Sequence, residues 1–131
     1  MELLKKNMKY KDVLGVKTAF FEHINDSTIS TCIFLHGGAP GASTELNWFK
    51  NLDEAINNGL NVIAFDQVGF GYSSSPPNGD HSVEFRYAHA VEFINTFQLK
   101  EVHLIGNSIG GLLASLMSLR GDLKSSIKSL L

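Results

Sequence analysis

Residues 106–110 read Gly-Asn-Ser-Ile-Gly. A serine with glycine two residues away on each side has a chemical meaning when it sits on a sharp turn from a strand into a helix. Val102-His103-Leu104-Ile105 precedes the pentapeptide and Leu112-Leu113-Ala114-Ser115-Leu116-Met117 follows it. Both neighbours of such a turn are therefore in place. The turn needs small residues at 106 and 110. It would project the Ser108 hydroxyl outward, with a helix N-terminus behind it, as a nucleophile requires. A helix-capping serine after a glycine turn is the alternative reading of the same residues. A hydroxyl nucleophile also needs a proton acceptor. No histidine follows Ser108 in the 131 residues.

A second group is Leu35-His36-Gly37-Gly38-Ala39-Pro40-Gly41-Ala42-Ser43, directly after an apolar run. When a serine attacks a carbonyl, the oxygen becomes negative and needs backbone N–H donors. Losing one such donor typically costs about 3–4 kcal/mol of barrier. Glycines allow the backbone of this loop to approach a substrate closely. Gly38 and Ile109, the residue after the serine, are the expected donors of an oxyanion hole. A generic turn is the alternative. A phosphate loop is disfavoured because no Gly-Lys-Ser/Thr follows.

A third group, Asp66-Gln67-Val68-Gly69-Phe70-Gly71-Tyr72-Ser73, ends another apolar run. It reads as an architectural turn. The spacing does not fit a dinucleotide fingerprint, and no helix opens directly after it. The five histidines (His23, His36, His81, His89, His103) show no i, i+4 pairing and have no cysteine partners. No metal and no cofactor is expected.

The elements that must position these residues alternate between strand and helix. Val16–His23 is strand-like, and Thr31–Leu35 and Asn61–Asp66 are short apolar runs suited to a buried parallel sheet. Phe49, Leu52 and Ile56 form one stripe of a helix over 46–57, stopped by Asn58-Gly59. Asp80 or Ser82 caps a helix reaching about Phe97. Val83, Tyr87, Ala90, Val91 and Ile94 form its inner face, with Glu84, Arg86, His89 and Glu92 mostly in solvent. The helix from Ile109 to Leu119 is apolar nearly all round, so it should be deeply buried. The tail, 125–131, reads as the start of another strand. This alternation predicts an α/β protein with a parallel sheet covered on both faces.

Composition is that of an ordinary soluble domain, with 44% hydrophobic and 18% charged residues. A net charge of -2 offers no basic surface for nucleic acid or an anionic membrane. The single cysteine, Cys32, excludes an internal disulfide framework and reads as a core residue. The start of the chain has no apolar leader segment, and Lys5, Lys6, Lys9 and Lys11 read as a solvated start. No run approaches the roughly 18 apolar residues of a membrane span. The cytoplasm is the expected compartment.

With these motifs placed, the chain resembles the α/β-hydrolase superfamily. Within it, the sequence looks most like the serine-dependent meta-cleavage product hydrolases, which split a carbon–carbon bond. The matching text is His36-Gly37-Gly38-Ala39-Pro40-Gly41-Ala42, Asn47-Trp48, Asp66-Gln67-Val68-Gly69-Phe70-Gly71 and Gly106-Asn107-Ser108-Ile109-Gly110-Gly111. Ala39 stands where the family has a third loop glycine. The resemblance implies Ser108 as catalytic nucleophile, with Gly38 and Ile109 as oxyanion donors. It implies Asn47 and Asn107 as holders of polar groups of a small-molecule carbonyl substrate. His36, Gly37, Gly106 and Gly110 are then structural, with His36 fixing its loop rather than moving a proton. In this topology the base follows the serine in the chain.

The implied fold is the N-terminal part of an α/β-hydrolase domain, a mostly parallel sheet with helices on both faces, spanning 1–131 and truncated after the elbow helix. The family's lid, triad acid and triad histidine would lie past residue 131. Asp122, the one acid after Ser108, sits in a Gly121-Asp122 turn and is not expected to be the triad acid. The elbow strand is central in the family, so truncation is expected to leave it as a long apolar edge. The alternative is a non-catalytic remnant, or one half of a split protein that docks with a partner chain.

Overall fold

A computed structural model describes residues 6–131. The reading of Lys5 and of the first residues as a solvated start without a leader lies outside the described residues. Six strands form one sheet in the order β1-β2-β4-β3-β5-β6. They are β1 (Lys9–Val13), β2 (Val16–His23), β3 (Thr31–Leu35), β4 (Asn61–Phe65), β5 (Glu101–Gly106) and β6 (Ser126–Leu130). The four strands β4, β3, β5 and β6 run parallel, while β1 and β2 pair antiparallel. The helices are α1 (Thr44–Asn57), α2 (Val83–Asn95) and α3 (Ile109–Arg120).

Strands β3 and β4 are buried at every position, as continuous apolar runs in a two-sided sheet should be. Alternate residues serve opposite faces. Ile33, Leu35, Ile63, Phe65, Val102 and Leu104 pack with residues of α2 and α3. Cys32, Phe34, Val62 and Ala64 pack with Leu52 and Ala55 of α1. Ser43 caps α1 by accepting from the Leu46 N–H at 3.2 Å. Ser82, not Asp80, caps α2, accepting from the Phe85 N–H at 3.1 Å.

Four expectations need correction. Lys9 and Lys11 belong to strand β1 rather than to a solvated start. Lys11 lies 4.0 Å from the Phe97 ring centroid, and Lys9 pairs with Glu22 at 3.1 Å. Charged residues along this outer strand discourage further pairing. The elbow strand β5 is not an edge, because β6 pairs along it. The exposed Ser126, Lys128 and Leu130 alternate with half-buried Ile127 and Ser129 on that outer strand. Helix α3 is not deeply buried all round. Gly110, Leu113, Ala114 and Met117 are buried, but Leu112 is 45% exposed and Leu119 83% exposed. Only one face of α3 meets the sheet and α2, and no other described element covers the rest.

The fourth correction concerns α2. His89 is not in solvent; it is 0% exposed, and Arg86 is half-buried. Val83, expected on the inner face, is exposed at the start of the helix, and the buried arc instead takes in Tyr87, Ala90, Val91 and Ile94 and runs round to Phe93 and His89. The Thr18 hydroxyl donates to Val16 O at 3.0 Å, so it accepts from His89 Nε2–H at 2.8 Å. The other ring nitrogen, Nδ1, is buried without a partner. Burial pushes the His89 imidazole down to about 4.

The sign of the linkage follows. The unfolded chain takes up a proton near pH 6.5, whereas the folded chain resists it until about pH 4. Stability supplied by neutral His89 is complete above pH 6.5 and is lost as pH falls toward 4. Urea titrations at pH 7.5 and 4.5 should show a loss of about 2–3 kcal/mol from this group. The His89→Gln variant should show a shallower pH dependence by that amount. Equal slopes in the two proteins would contradict the assignment.

Candidate active site

Strands β3 and β5 lie side by side in parallel register, with Leu35 opposite Gly106. The loop after β3 and the turn after β5 therefore leave the sheet together. Ser108 has φ +56° and ψ -119°, a conformation that costs a non-glycine residue about 1–3 kcal/mol. Surrounding bonds hold it there. The Asn107 N–H donates to Leu35 O at 3.1 Å, the Gly110 N–H to Asn107 O at 2.9 Å, and the Leu112 N–H to Ser108 O at 3.0 Å. The Ser108 side chain is exposed and makes no hydrogen bond with any described residue. It does not cap α3, which removes the structural reading of this serine.

Gly106 and Gly110 are required for space, since neither has a positive φ. A Cβ on Gly106 would sit 2.6 Å from the carbonyl of Gly110. A Cβ on Gly110 would strike the Leu35 carbonyl and lie 2.7 Å from His36 O. Helix α3 thus rests directly on the C-terminal end of β3.

The Gly37–Ser43 loop is tied from both sides. Asn47 Oδ1 accepts from the Gly37 N–H at 2.8 Å and from Asn107 Nδ2–H at 2.9 Å. That oxygen is committed to the protein, so Asn47 can offer a ligand its Nδ2 donors, and Asn107 its Oδ1 and its second Nδ2–H. The position of a Gly38 Cβ would be 3.0 Å from Ile109 Cγ2, which places the loop against the elbow. The N–H groups of Gly38 and Ile109 donate to no described backbone acceptor. Two free donors therefore flank the exposed serine.

His36 is fully buried, and both its nitrogens are engaged. Nε2 accepts from the Gln67 N–H at 2.9 Å, so Nδ1 carries the proton and donates to Gly37 O at 2.6 Å. Burial holds its pKa below the ordinary range, against smaller upward pulls from Gly37 and Asp66. It fixes the loop and has no nitrogen left for Ser108. Gln67 completes the clamp, its Nε2–H donating to His36 O at 2.5 Å. The sequence reading did not single out Gln67 as a partner of His36; an amide following a buried aspartate carries no recognisable pattern.

Asp66 is architectural, as its motif suggested. Its carboxylate accepts from the Thr44 N–H at 2.8 Å and the Tyr72 N–H at 2.9 Å. Asp122 lies beyond the C-terminus of the 12-residue α3, about 18 Å of helix from Ser108. It accepts from the Tyr87 hydroxyl at 2.6 Å. The Tyr87 phenol is pushed up to about 12 by burial and by that carboxylate. His103 is turned toward Ser129 Oγ (2.7 Å) and Ser30 Oγ (3.1 Å). Among the described residues, no three metal-ligating side chains converge.

The two glycine positions give a sharp contrast with Gly111, whose Cβ would meet nothing nearer than 3.4 Å. Gly110→Ala should destabilise the fold by about 3 kcal/mol or more, because only backbone carbonyls stand in the way. Gly111→Ala should stay within about 1 kcal/mol of the parent. Denaturant midpoints of the two variants check this, and similar midpoints would contradict the packing of α3 on β3.

Residues 31–131 match the family model described as the alpha/beta hydrolase fold. The chain is 34% identical over 105 residues to a 2-hydroxy-6-oxononadienedioate/2-hydroxy-6-oxononatrienedioate hydrolase of Paraburkholderia phymatum, covering 79% of this chain and 36% of that protein. It is 32% identical to a 2-hydroxymuconate semialdehyde hydrolase of a Pseudomonas species, covering 67% of this chain and 32% of that protein. Among solved structures it superposes on the meta-cleavage product hydrolase CumD of Pseudomonas fluorescens, complexed with acetates. The TM-score is 0.74 and the identity 30%, covering 86% of this chain and 40% of that one. The chain thus spans about a third of the length of these curated relatives. By these matches the chain belongs to the α/β-hydrolase fold family, as the N-terminal part of that fold.

Proposed function

We propose that this chain supplies the nucleophile and the oxyanion site of a serine hydrolase that cleaves ester or carbon–carbon bonds through an acyl-enzyme. The observation that carries this reading is Ser108, exposed and held at φ +56° beside two N–H groups that have no backbone acceptor. Ser108 Oγ attacks the substrate carbonyl carbon and its proton passes to a base. Negative charge on the carbonyl oxygen is met by Gly38 N–H and Ile109 N–H. The proton then moves to the leaving group as the acyl bond breaks, and water releases the acyl group from the serine. Asn47 and Asn107 would orient polar groups of the substrate through their remaining atoms. The relatives named above support a small carbonyl compound as substrate, and a cytoplasmic setting belongs to the same reading. No described helix is long and apolar enough to cross a membrane.

The base is not among these residues. None of the five histidines bonds to Ser108, and His36, His89 and His103 are committed elsewhere. In this reading the triad acid and histidine come from polypeptide outside the 131 residues, and the 131-residue chain alone is inactive. A second reading, a split half or remnant that requires a partner chain, is favoured by the outer surface. Strand β6 has no strand on its outer side among the described residues, and Leu112, Leu119 and Leu131 are exposed.

The test is acylation of the purified 131-residue chain by a fluorophosphonate, read by intact-mass spectrometry. No adduct at Ser108 is expected, because an unassisted serine is a weak nucleophile near neutral pH. A stoichiometric adduct that disappears in Ser108→Ala would show an activated serine and overturn the account of the missing base.

A further inference from the structure

Two Asn-Gly pairs occur in the chain, Asn58-Gly59 and Asn78-Gly79. Such a pair can react with itself, because glycine has no side chain to keep its backbone nitrogen away from the asparagine amide. The sequence makes the two pairs alike, and the fold makes them different. Asn58 closes helix α1. Its Nδ2 donates to Glu54 O at 2.8 Å and to Glu54 Oε1 at 3.1 Å. Its own N–H donates to Glu54 O at 3.1 Å, the Gly59 N–H to Ile56 O at 3.0 Å and the Leu60 N–H to Ala55 O at 3.0 Å. Asn25 Nδ2–H donates to Gly59 O at 3.2 Å. The Asn58 amide therefore cannot turn toward the Gly59 nitrogen without opening the last turn of α1.

Asn78 is held far less. It is exposed, in the turn Pro76-Pro77-Asn78-Gly79 between β4 and α2. One backbone bond closes that turn, from the Gly79 N–H to Pro76 O at 3.1 Å. Gly79 has φ +73°, and no heavy atom lies within 4 Å of where its Cβ would be, so there is open space beside the turn. Among the described residues the Asn78 Nδ2 has no acceptor, while its Oδ1 accepts from the Asp80 N–H at 3.2 Å. That donor draws electron density from the side-chain carbonyl and makes Cγ more electrophilic. The nitrogen that must leave is free, and the carbon to be attacked is polarised.

We propose that Asn78 is a modification site of this protein, converted through a succinimide to aspartate and isoaspartate while Asn58 is spared. The site is independent of the hydrolase reading. The Gly79 nitrogen, having lost its proton to base, bonds to Asn78 Cγ. The Cγ–Nδ2 bond breaks, and Nδ2 takes up a proton and leaves as ammonia. Water then cleaves one of the two carbonyl–nitrogen bonds of the ring. Cleavage at Cγ gives aspartate; cleavage at the main-chain carbonyl gives isoaspartate, in which the chain runs on through the side-chain carbon. The net change is amide and water to carboxylic acid and ammonia, with nothing oxidised or reduced. Each event places a negative charge two residues before Asp80, whose Oδ1 accepts from the N–H of Ser82, the cap of α2, at 2.9 Å. In isoaspartate the main chain also lengthens by one carbon between that cap and Pro77, whose Cγ lies 2.7 Å from where a Gly15 Cβ would be.

The test incubates the 131-residue chain at mildly alkaline pH, folded in buffer and unfolded in guanidinium chloride. Peptide mapping with electron-transfer mass spectrometry follows both sites. Unfolded, the two pairs should react at similar rates. Folded, Asn78 should stay within about threefold of its unfolded rate and Asn58 should slow about tenfold or more, because each hydrogen bond that must open contributes roughly a few-fold to tenfold. The product at position 78 should contain both isoaspartate and aspartate, each carrying oxygen in place of NH, and Asn78→Gln should remove it. Folding that slows Asn78 as much as Asn58 would overturn the proposal, as would folded Asn58 reacting as fast as Asn78. Aspartate at position 78 without isoaspartate would overturn the succinimide route.

Discussion

The contact between Gly110 and the carbonyls of Leu35 and His36 governs the rest of the structure. Strands β3 and β5 are adjacent and parallel, so each ends at the same level of the sheet. The chain must reverse from β5 into α3 with no room for a side chain at the point of closest approach. That reversal forces Ser108 into a backbone conformation few serines adopt, and exposes its hydroxyl. The Asn107 N–H bond to Leu35 O fixes the turn to the neighbouring strand. Position 110 is therefore set by sterics, and the serine two residues earlier inherits its geometry.

A second layer keeps the facing loop at a fixed distance. Asn47 is its pivot, since one oxygen accepts from the loop at Gly37 and from the elbow at Asn107. His36 and Gln67 bind each other through two hydrogen bonds and join the loop to the end of β4. Asp66 ties that same strand end to the start of α1 and to the turn at Tyr72. His36, Gln67 and Asp66 are buried and, apart from Gln67 Oε1, partnered, which makes a rigid scaffold of a polar network. By contrast, the donors of Gly38 and Ile109 are left without backbone acceptors. Rigid support beneath free donors is what electrostatic preorganisation requires.

Much of this was legible in the sequence because the constraints are local. Apolar runs of five residues gave β3 and β4 their bounds, and glycine spacing around Ser108 gave the elbow. Because His36 precedes the serine in the chain, it was expected to fix its loop rather than to move a proton, and in the structure both of its nitrogens are engaged by the backbone. What escaped were features decided by distant partners. Lys9, Lys11 and Asp12 make most of strand β1 charged, and its pairing with β2 is not written in its own pattern. His89 looks polar on a helical wheel, yet Thr18 on β2 supplies the hydrogen bond that lets it be buried. Helix α3 is apolar all round, which suggests cover on every side, but Leu112 and Leu119 face outward. A residue's polarity reports what it can tolerate; the neighbouring element decides what it meets.

The central claim is that these residues form a preorganised oxyanion site with the serine in place and the base elsewhere. Amide hydrogen exchange of the 131-residue chain tests it most directly. The N–H groups of Gly37, Gln67, Asn107 and Gly110 each have a protein acceptor and should exchange slowly, through opening of the fold. Those of Gly38 and Ile109 should exchange rapidly, as free donors facing the site. Protection of Gly38 and Ile109 equal to that of Gly37 and Gly110 would mean that their donors are already spent, and would contradict the account.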